Sequence, residues 1–120
     1  MRKDTGRPRK IGELIQRELA TLIPRELSDP RAAHATITAV DVAPDLSHAK
    51  VFVTHLGGEE QAKAVVAALN HAAGFLRHAL LKRVLLRHVP DLRFVYDASV
   101  ERGDTIERLL ARARADRDNK

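Results

Sequence analysis

Apolar residues first recur at helical spacing near the amino end of this 120-residue chain. Four of them share one face of the predicted helix, namely Ile11, Ile15, Leu19 and Leu22. Such spacing is typical of an amphipathic helix, and the pattern starts at Lys10. Pro24 lacks an amide hydrogen, and its ring collides with the preceding turn. The sequence therefore predicts a kink or an early helix end at Pro24.

Two β-strands are predicted next, over residues 34–42 and 49–56, because both segments are rich in Thr and Val. In the first strand the alternation of apolar residues changes phase between Ile37 and Val40. A β-bulge near Thr38-Ala39 would turn both side chains toward the core. The connection between the strands is short, which predicts that they are antiparallel neighbours.

A pair of helices follows the second strand. Glu59-Glu60 suits the start of the first helix, because the helix dipole favours acids there. The triplet Ala72-Ala73-Gly74 interrupts the helical pattern, and the second helix is predicted to end near Val84. Small residues let two helices approach closely, and glycine permits backbone angles that other residues avoid. We therefore expect a packing kink at this triplet.

A short strand over residues 92–96 and a final helix capped by Asp104 complete the pattern. The order of elements predicts an α+β fold, in which helices pack on one face of a three-stranded sheet. We expect the first and third strands to meet through a long crossover that the two middle helices supply. The predicted organisation is a flexible basic arm over residues 1–9, one domain over 10–110 and a mixed-charge tail over 111–120.

Positive charge is distributed unevenly along the chain. The net charge is +5, yet the thirty residues from Gln61 to Pro90 contain no Asp or Glu. Two basic blocks supply the candidate RNA contacts, which are Arg2, Lys3, Arg7, Arg9 and Lys10 in the first and Lys63, Arg77, His78, Lys82, Arg83 and Arg87 in the second. Polarised charge of this kind indicates a docking face for a polyanion such as RNA. The alternative is a solvated helix face balanced by acids elsewhere in the fold.

Composition excludes several classes of protein. With three Phe, one Tyr and no Trp, the chain does not fit RNA-binding modules that stack several bases on aromatic side chains. The absence of cysteine excludes disulfides and thiolate metal sites, and it fits a reducing cytoplasm. The longest apolar run, Ala64–Leu69, is too short to span a bilayer. No apolar segment of the kind found in signal peptides follows the basic N-terminus.

The sequence contains no recognisable catalytic or metal-binding motif. It has no nucleophile elbow, no Walker-type phosphate loop and no paired carboxylates in an apolar setting. Six histidines are present, but none belongs to a His-Glu-x-x-His or comparable ligand set. We therefore predict a non-catalytic protein without a cofactor and without a metal site.

Five segments in register resemble the ribosome-binding factor A family. The members of this family are assembly factors of the bacterial small ribosomal subunit. The matching segments are Arg25–Arg31, Val42–Val51, Leu69–Arg77, Pro90–Asp97 and Gly103–Glu107. Their order and spacing cover about residues 7–110. The resemblance implies a type II KH-like fold, in which a kink at Ala72, Ala73 and Gly74 replaces the Gly-x-x-Gly loop that clamps RNA in other KH domains.

The resemblance also implies a function. A member of this family would bind immature small subunits, contact their rRNA and assist maturation of the 5′ region of that RNA without catalysing a reaction. It would matter most during growth in the cold, and an assembly GTPase would be functionally linked to it. We expect a cytoplasmic monomer that does not bind membranes.

Three other interpretations remain open on the sequence alone. The chain could be a general KH-like RNA-binding module with no ribosomal role. It could also be a protein-interaction domain that uses an exposed face around Phe52 or the terminal helix. A small metal-dependent enzyme is the third alternative, and metal analysis of the purified protein would test it.

Overall fold

A computed structural model describes residues 6–99 of the protein. Its elements are α1 (Arg7–Glu26), a 3₁₀ helix (Pro30–His34), β1 (Ala35–Val42), β2 (His48–His55), α2 (Glu59–His71), α3 (Ala73–Arg83) and β3 (Asp91–Tyr96). Arg2 and Lys3, the predicted final helix and the tail over 111–120 lie outside the described residues.

Helix α1 is longer at both ends than the sequence predicts. It begins at Arg7 instead of Lys10, with Pro8 in its first turn, where a missing amide hydrogen costs no helical hydrogen bond. It also passes through Pro24 and ends at Glu26, so the predicted early end at Pro24 is wrong. The N–H of Leu27 donates to the Ile23 carbonyl at 3.1 Å, which closes the last turn beyond the proline.

The sheet has the strand order β1-β2-β3. β1 and β2 are antiparallel as predicted, and their register shifts between Ile37 and Ala39, which confirms the predicted bulge. β3 pairs with β2 in parallel, so the expectation that the first and third strands meet is wrong. The crossover through α2 and α3 brings the chain back to the free edge of β2, the usual result when a crossover joins parallel neighbours. β2 is therefore the central strand, and Val51 and Val53 on it are fully buried.

The core lies between the sheet and the three helices, which confirms the predicted α+β architecture. Helix α1 packs on β1, α2 packs on β2 and β3, and α3 packs on β3 and α1. The fully buried large side chains come from every layer, and they include Ile15, Leu19, Val51, Val53, Val65, Leu69, Leu76, Leu80, Val89 and Phe94. The burial of α3 between β3 and α1 fixes which of its faces reaches the surface.

Within residues 6–99, no single helix combines the length and hydropathy needed to cross a membrane. Helices α2 and α3 reach those values only when taken together, and they are bent by 68° where they meet. Leu69 and Leu76 on either side of the bend are fully buried in the protein core. Core packing therefore accounts for the apolar character of this pair.

A glycine allows α1 to lie close to β1. A Cβ atom built on Gly12 would lie 2.8 Å from the Val40 carbonyl oxygen. Cβ atoms in proteins essentially never come that close to a backbone atom. We expect Gly12→Ala to lower the free energy of unfolding by about 1–2 kcal/mol, because the helix or the strand must move. Gly74→Ala is the matched control, since nothing lies within 4 Å of a Cβ there. Urea denaturation that ranks the two variants in the opposite order would contradict this packing.

The turn before the 3₁₀ helix carries a strong surface ion pair. Arg31 Nη2 donates to Asp29 Oδ2 at 2.7 Å, and the Arg31 backbone N–H donates to Asp29 Oδ1 at 3.0 Å. The side-chain hydrogen bond from Arg31, followed by the backbone one, lowers the pKa of Asp29 from 3.8 to about 2. Because the folded-state pKa is the lower one, the carboxylate stabilises the fold above about pH 4 and loses that contribution as the pH falls toward 2.

Replacing the arginine tests this cause of the shift. In Arg31→Met we expect the pKa of Asp29 to rise toward 3.8, although the remaining backbone hydrogen bond keeps it below that value. Carbon-13 NMR of the carboxyl groups measures it. Asp45 is the internal control, because its pKa is lowered by hydrogen bonds from Ser47 instead. An unchanged pKa of Asp29 in the variant would refute the assignment.

Candidate nucleic-acid interface

The junction between α2 and α3 bends the chain with ordinary backbone angles. Ala72 lies at φ −95° and ψ 8°, and its N–H is shared between the carbonyls of Ala68 and Leu69, each at 3.1 Å. Among the described glycines only Gly6 and Gly58 have positive φ, so the bend at Gly74 does not use a backbone angle that favours glycine. Gly74 is exposed, and the space where its Cβ would lie is open. The glycine therefore leaves the backbone of the bend accessible from outside.

Helix α3 ends at Arg83 with Val84 as its C-cap, so the predicted end near Val84 is confirmed. Arg87 and His88 lie in the segment that leads into β3, and both are exposed. Lys82 and His78 are one turn apart on α3 and are also exposed. Within residues 6–99, neither Lys82 nor Arg87 has an ion-pair partner, which leaves both cations available for phosphate.

Two of the predicted RNA contacts on α3 form hydrogen bonds and ion pairs within the protein. The Arg77 side chain is only 31% exposed; its Nε donates to the Val89 carbonyl at 2.9 Å and lies 3.5 Å from Asp91 Oδ1. Arg77 therefore fastens the segment before β3 to α3. Arg83 Nε contacts Glu18 Oε1 at 2.5 Å, which joins α3 to α1. Both arginines have a structural task that the sequence did not reveal.

The remaining predicted contacts lie on other parts of the surface. Lys63 Nζ pairs with Glu59 Oε2 at 2.8 Å in the first turns of α2, and this hydrogen bond raises the pKa of Lys63. Arg7, Arg9 and Lys10 lie in the first turn of α1, so residues 7–9 of the predicted arm are helical. Arg9 pairs with Glu13 at 3.4 Å.

The cations at the start of α1 are separate from those on α3. Arg7 and Arg25 lie near opposite ends of α1, eighteen residues apart, which is roughly 27 Å along a helix at 1.5 Å per residue. Helix α1 meets α3 in its second half, where Glu18 contacts Arg83. A single compact ligand cannot bridge these two groups, whereas an extended polyanion can.

A cleft of about 220 Å³ runs between the second half of α1 and α3. Helix α1 contributes Leu22, Arg25 and Glu26 to its walls. Helix α3 contributes Phe75, His78, Ala79, Lys82 and Arg83. We call this feature the α1–α3 cleft, and we call the cleft together with the following Arg87 the basic surface.

The basic surface includes two residues that sequence reasoning missed. Arg25 is exposed in the last turn of α1, and it reaches the same cleft as Lys82 although the two are 57 positions apart. The second missed residue is Phe75, one of only three phenylalanines in the chain, which has 53% of its surface exposed. The acid-free segment pointed to α3, but no sequence signal placed the end of α1 beside it.

The chemistry of the described residues is that of a binding surface. Within residues 6–99, no group of three or more His, Asp or Glu side chains is arranged to hold a metal ion. Arginine and lysine side chains around an exposed ring can bind phosphate and an apolar or aromatic group together.

Comparison with known proteins gives a consistent result. The family described as ribosome-binding factor A matches residues 7–110. A ribosome-binding factor A from Nitrosococcus oceani is 50% identical over 113 residues, covering 94% of this chain and 89% of that protein. One from Azotobacter vinelandii is 51% identical over 119 residues, covering 97% of this chain and 92% of that protein.

Known structures agree with the sequence comparison. The crystal structure of ribosome-binding factor A from Thermus thermophilus has a TM-score of 0.65 and 33% identity, covering 76% of this chain and 97% of that one. A Thermus thermophilus homology model fitted into the cryo-EM map of a complex with the 30S subunit has a TM-score of 0.58 and 34% identity, covering 70% and 88%. Together with the helix–kink–helix arrangement, these matches confirm the predicted KH-like fold.

Proposed function

The chain belongs to the ribosome-binding factor A family, and from that premise we propose that it binds the small ribosomal subunit through the basic surface. The observation that carries this proposal is a set of exposed cations without ion-pair partners among residues 6–99: Lys82, which lines the α1–α3 cleft, and Arg87, which follows α3. Phosphate contacts from such residues hold and orient an RNA-binding protein. The relative fitted into a 30S complex supports the same partner.

We further propose that the protein is a non-catalytic assembly factor acting in the cytoplasm as a monomer. It binds immature small subunits and assists maturation of the 5′ region of their rRNA, a role that matters most in the cold. An assembly GTPase is its expected functional partner. The resemblance to the family supports these finer statements, and the motif-free sequence is consistent with a binding role.

Binding alone can promote maturation if it is selective. A protein shifts the population of two RNA arrangements only when it binds one of them more tightly than the other. The bent helix pair and the cleft give the basic surface a defined shape, while phosphate contacts supply affinity that does not depend on base sequence. Low temperature slows the exchange between RNA arrangements, so a factor that favours one of them would have its greatest effect there.

Sedimentation of a cell lysate through a density gradient tests the partner. We expect the protein to travel with free small subunits and to be absent from mature ribosomes. Competition between purified small subunits and an equal mass of unrelated RNA separates this function from a general KH-like RNA-binding module. The proposal fails if the protein stays at the top of the gradient, or if unrelated RNA competes equally well.

The salt dependence of binding tests the electrostatic part of the proposal. If Arg25, Lys82 and Arg87 each neutralise one phosphate, the logarithm of the binding constant should fall against the logarithm of salt concentration with a slope of about −2.1 to −2.7. A slope near zero would show that phosphate contacts do not hold the complex together.

A further inference from the structure

We infer that the α1–α3 cleft binds one unpaired nucleotide of the RNA, with its base stacked on Phe75 and a neighbouring phosphate held by Lys82 and Arg25. This inference rests on the proposed function and adds a ligand class to part of the same surface. A site that holds a single base favours RNA whose strand is locally unpaired, which is the condition of rRNA segments that have not yet reached their final pairing.

Helical geometry places the required groups together. Phe75, His78 and Lys82 are spaced by three and four residues, so they form one stripe on α3. That stripe faces Leu22 and Arg25 across the cleft. Leu22 is 2% exposed and forms an apolar part of the wall. An aromatic ring beside an apolar wall and two cations is the combination that single-stranded RNA sites use, because every base has a stacking face.

The exposure of Phe75 contrasts with the burial of two leucines on the same helix. Leu76 and Leu80 are fully buried in the core, whereas more than half of the Phe75 surface, 53%, remains open at the cleft. Burying an aromatic ring is one of the largest apolar gains available to a side chain. Here the ring is left at a surface that also carries cations, where a stacked base would cover it.

The size of the cleft suits a single base. Its volume is about 220 Å³, whereas pockets that enclose drug-sized ligands measure roughly 300–1,000 Å³. A base fits such a space, but a base pair or a duplex does not. The duplex parts of the RNA would therefore lie outside, against Arg87.

The charges around the cleft favour a nucleotide over a bare anion. Arg83 is already paired with Glu18, whereas Arg25 and Lys82 in the lining have no ion-pair partner among residues 6–99. Glu26 is the acid in the lining, and it repels an inorganic anion or an acidic peptide. A carboxylate only accepts hydrogen bonds, so it suits the amino or imino group of a base edge. A phosphate bound by Arg25 and Lys82 and a base edge that donates to Glu26 match this set of charges.

Binding of a single-stranded RNA decanucleotide of adenosine tests the inference. The matched probe is a decanucleotide with the same sugar–phosphate chain and no bases. At low salt we expect Phe75→Leu to weaken binding of the adenosine RNA about 5- to 150-fold, since stacking on an aromatic ring contributes about 1–3 kcal/mol per base. The variant should leave binding of the abasic chain unchanged. Leu85→Ala is the control, because Leu85 is a fully exposed apolar residue outside the cleft.

A tryptophan at the same position gives a direct signal. The chain contains no tryptophan, so Phe75→Trp introduces a single reporter. We expect this variant to bind the adenosine RNA at least as tightly as the unmodified protein, and its fluorescence to be quenched by that RNA and not by the abasic chain. Quenching by both probes, or by neither, would overturn the inference.

The two proposals fail in different experiments. If Phe75→Leu weakens binding of both decanucleotides equally, or of neither, the cleft does not hold a base. This conclusion holds even if the protein binds the small subunit. Failure of the unmodified protein to co-sediment with small subunits would instead refute the proposed function. Tight binding of an acidic peptide that depends on Phe75 would also overturn the inference, because it would assign the ring to a protein partner.

Discussion

Reversing the charge of Lys82 and Arg87 should reduce the affinity for small ribosomal subunits at least tenfold. Both side chains are exposed and lack ion-pair partners within residues 6–99, so Lys82→Glu with Arg87→Glu breaks no contact inside the described fold. Each substitution removes a phosphate contact and places an acid against the RNA. Loss of about 1.4 kcal/mol already corresponds to a tenfold weaker complex. Binding to purified subunits, measured by filter retention at fixed salt, gives the result.

The matched control is Arg17→Glu with Arg93→Glu, which changes the net charge by the same amount. Arg17 is exposed on α1 beside a different depression, and Arg93 is exposed on β3. We expect this control to lose much less affinity. An equal loss in both double variants would mean that only net charge matters, which contradicts a defined basic surface. Arg83 is not used, because a glutamate there would face Glu18 and weaken the fold.

Asn70→Leu should lower the free energy of unfolding by about 1–3 kcal/mol. The Asn70 side chain pairs with the outer edge of β3: its Nδ2 donates to the Phe94 carbonyl at 2.8 Å, and its Oδ1 accepts from the Phe94 N–H at 2.8 Å. The amide thus satisfies both backbone groups as a neighbouring strand would. Leucine removes both part-buried hydrogen bonds, and each such bond contributes about 0.5–1.5 kcal/mol.

Gln16→Leu provides the comparison for this effect. Gln16 Nε2 donates one hydrogen bond to the Ile37 carbonyl at 3.0 Å, on the other edge strand of the sheet. We expect roughly half the cost of Asn70→Leu, because one backbone group is affected instead of two. Asn70→Asp should lie between them, since it can still accept from Phe94 N–H but cannot donate. Urea denaturation ranks the three, and a Gln16→Leu variant that is the least stable would contradict this account.

Much of the fold follows from local chemistry in the sequence. Strict spacing of apolar residues located α1, and the change of phase between Ile37 and Val40 located the bulge. The end of α3 near Val84 and the acids at the start of α2 were predicted in the same way. These features depend on residues close to each other in the chain, so composition and spacing are enough to find them.

The strand order and the details of the site depend on contacts between distant residues. Parallel pairing of β3 with β2 is decided by the packing of a crossover of two helices, which no local pattern describes. The partner of Arg83 is Glu18, 65 positions away, and this pairing removes a cation that composition counted as free. Arg25 joins the basic surface only because α1 packs on α3. Charge along the chain therefore indicated α3 as a candidate, but it could not show which cations of that helix lack ion-pair partners within residues 6–99.

Directed cleavage of rRNA tests the central claim, that the basic surface faces the small subunit, most directly. The chain has no cysteine, so Leu85→Cys and Leu56→Cys each give one attachment point for an iron chelate that generates hydroxyl radicals. Leu85 is exposed in the segment that leads into β3, and Leu56 is exposed just after β2. Because β2 and β3 are parallel, these two residues lie near opposite ends of the sheet. We predict strong cleavage of small-subunit rRNA from Leu85→Cys and little from Leu56→Cys. Cleavage from Leu56→Cys alone would show that the opposite end of the domain contacts the subunit and would contradict the account.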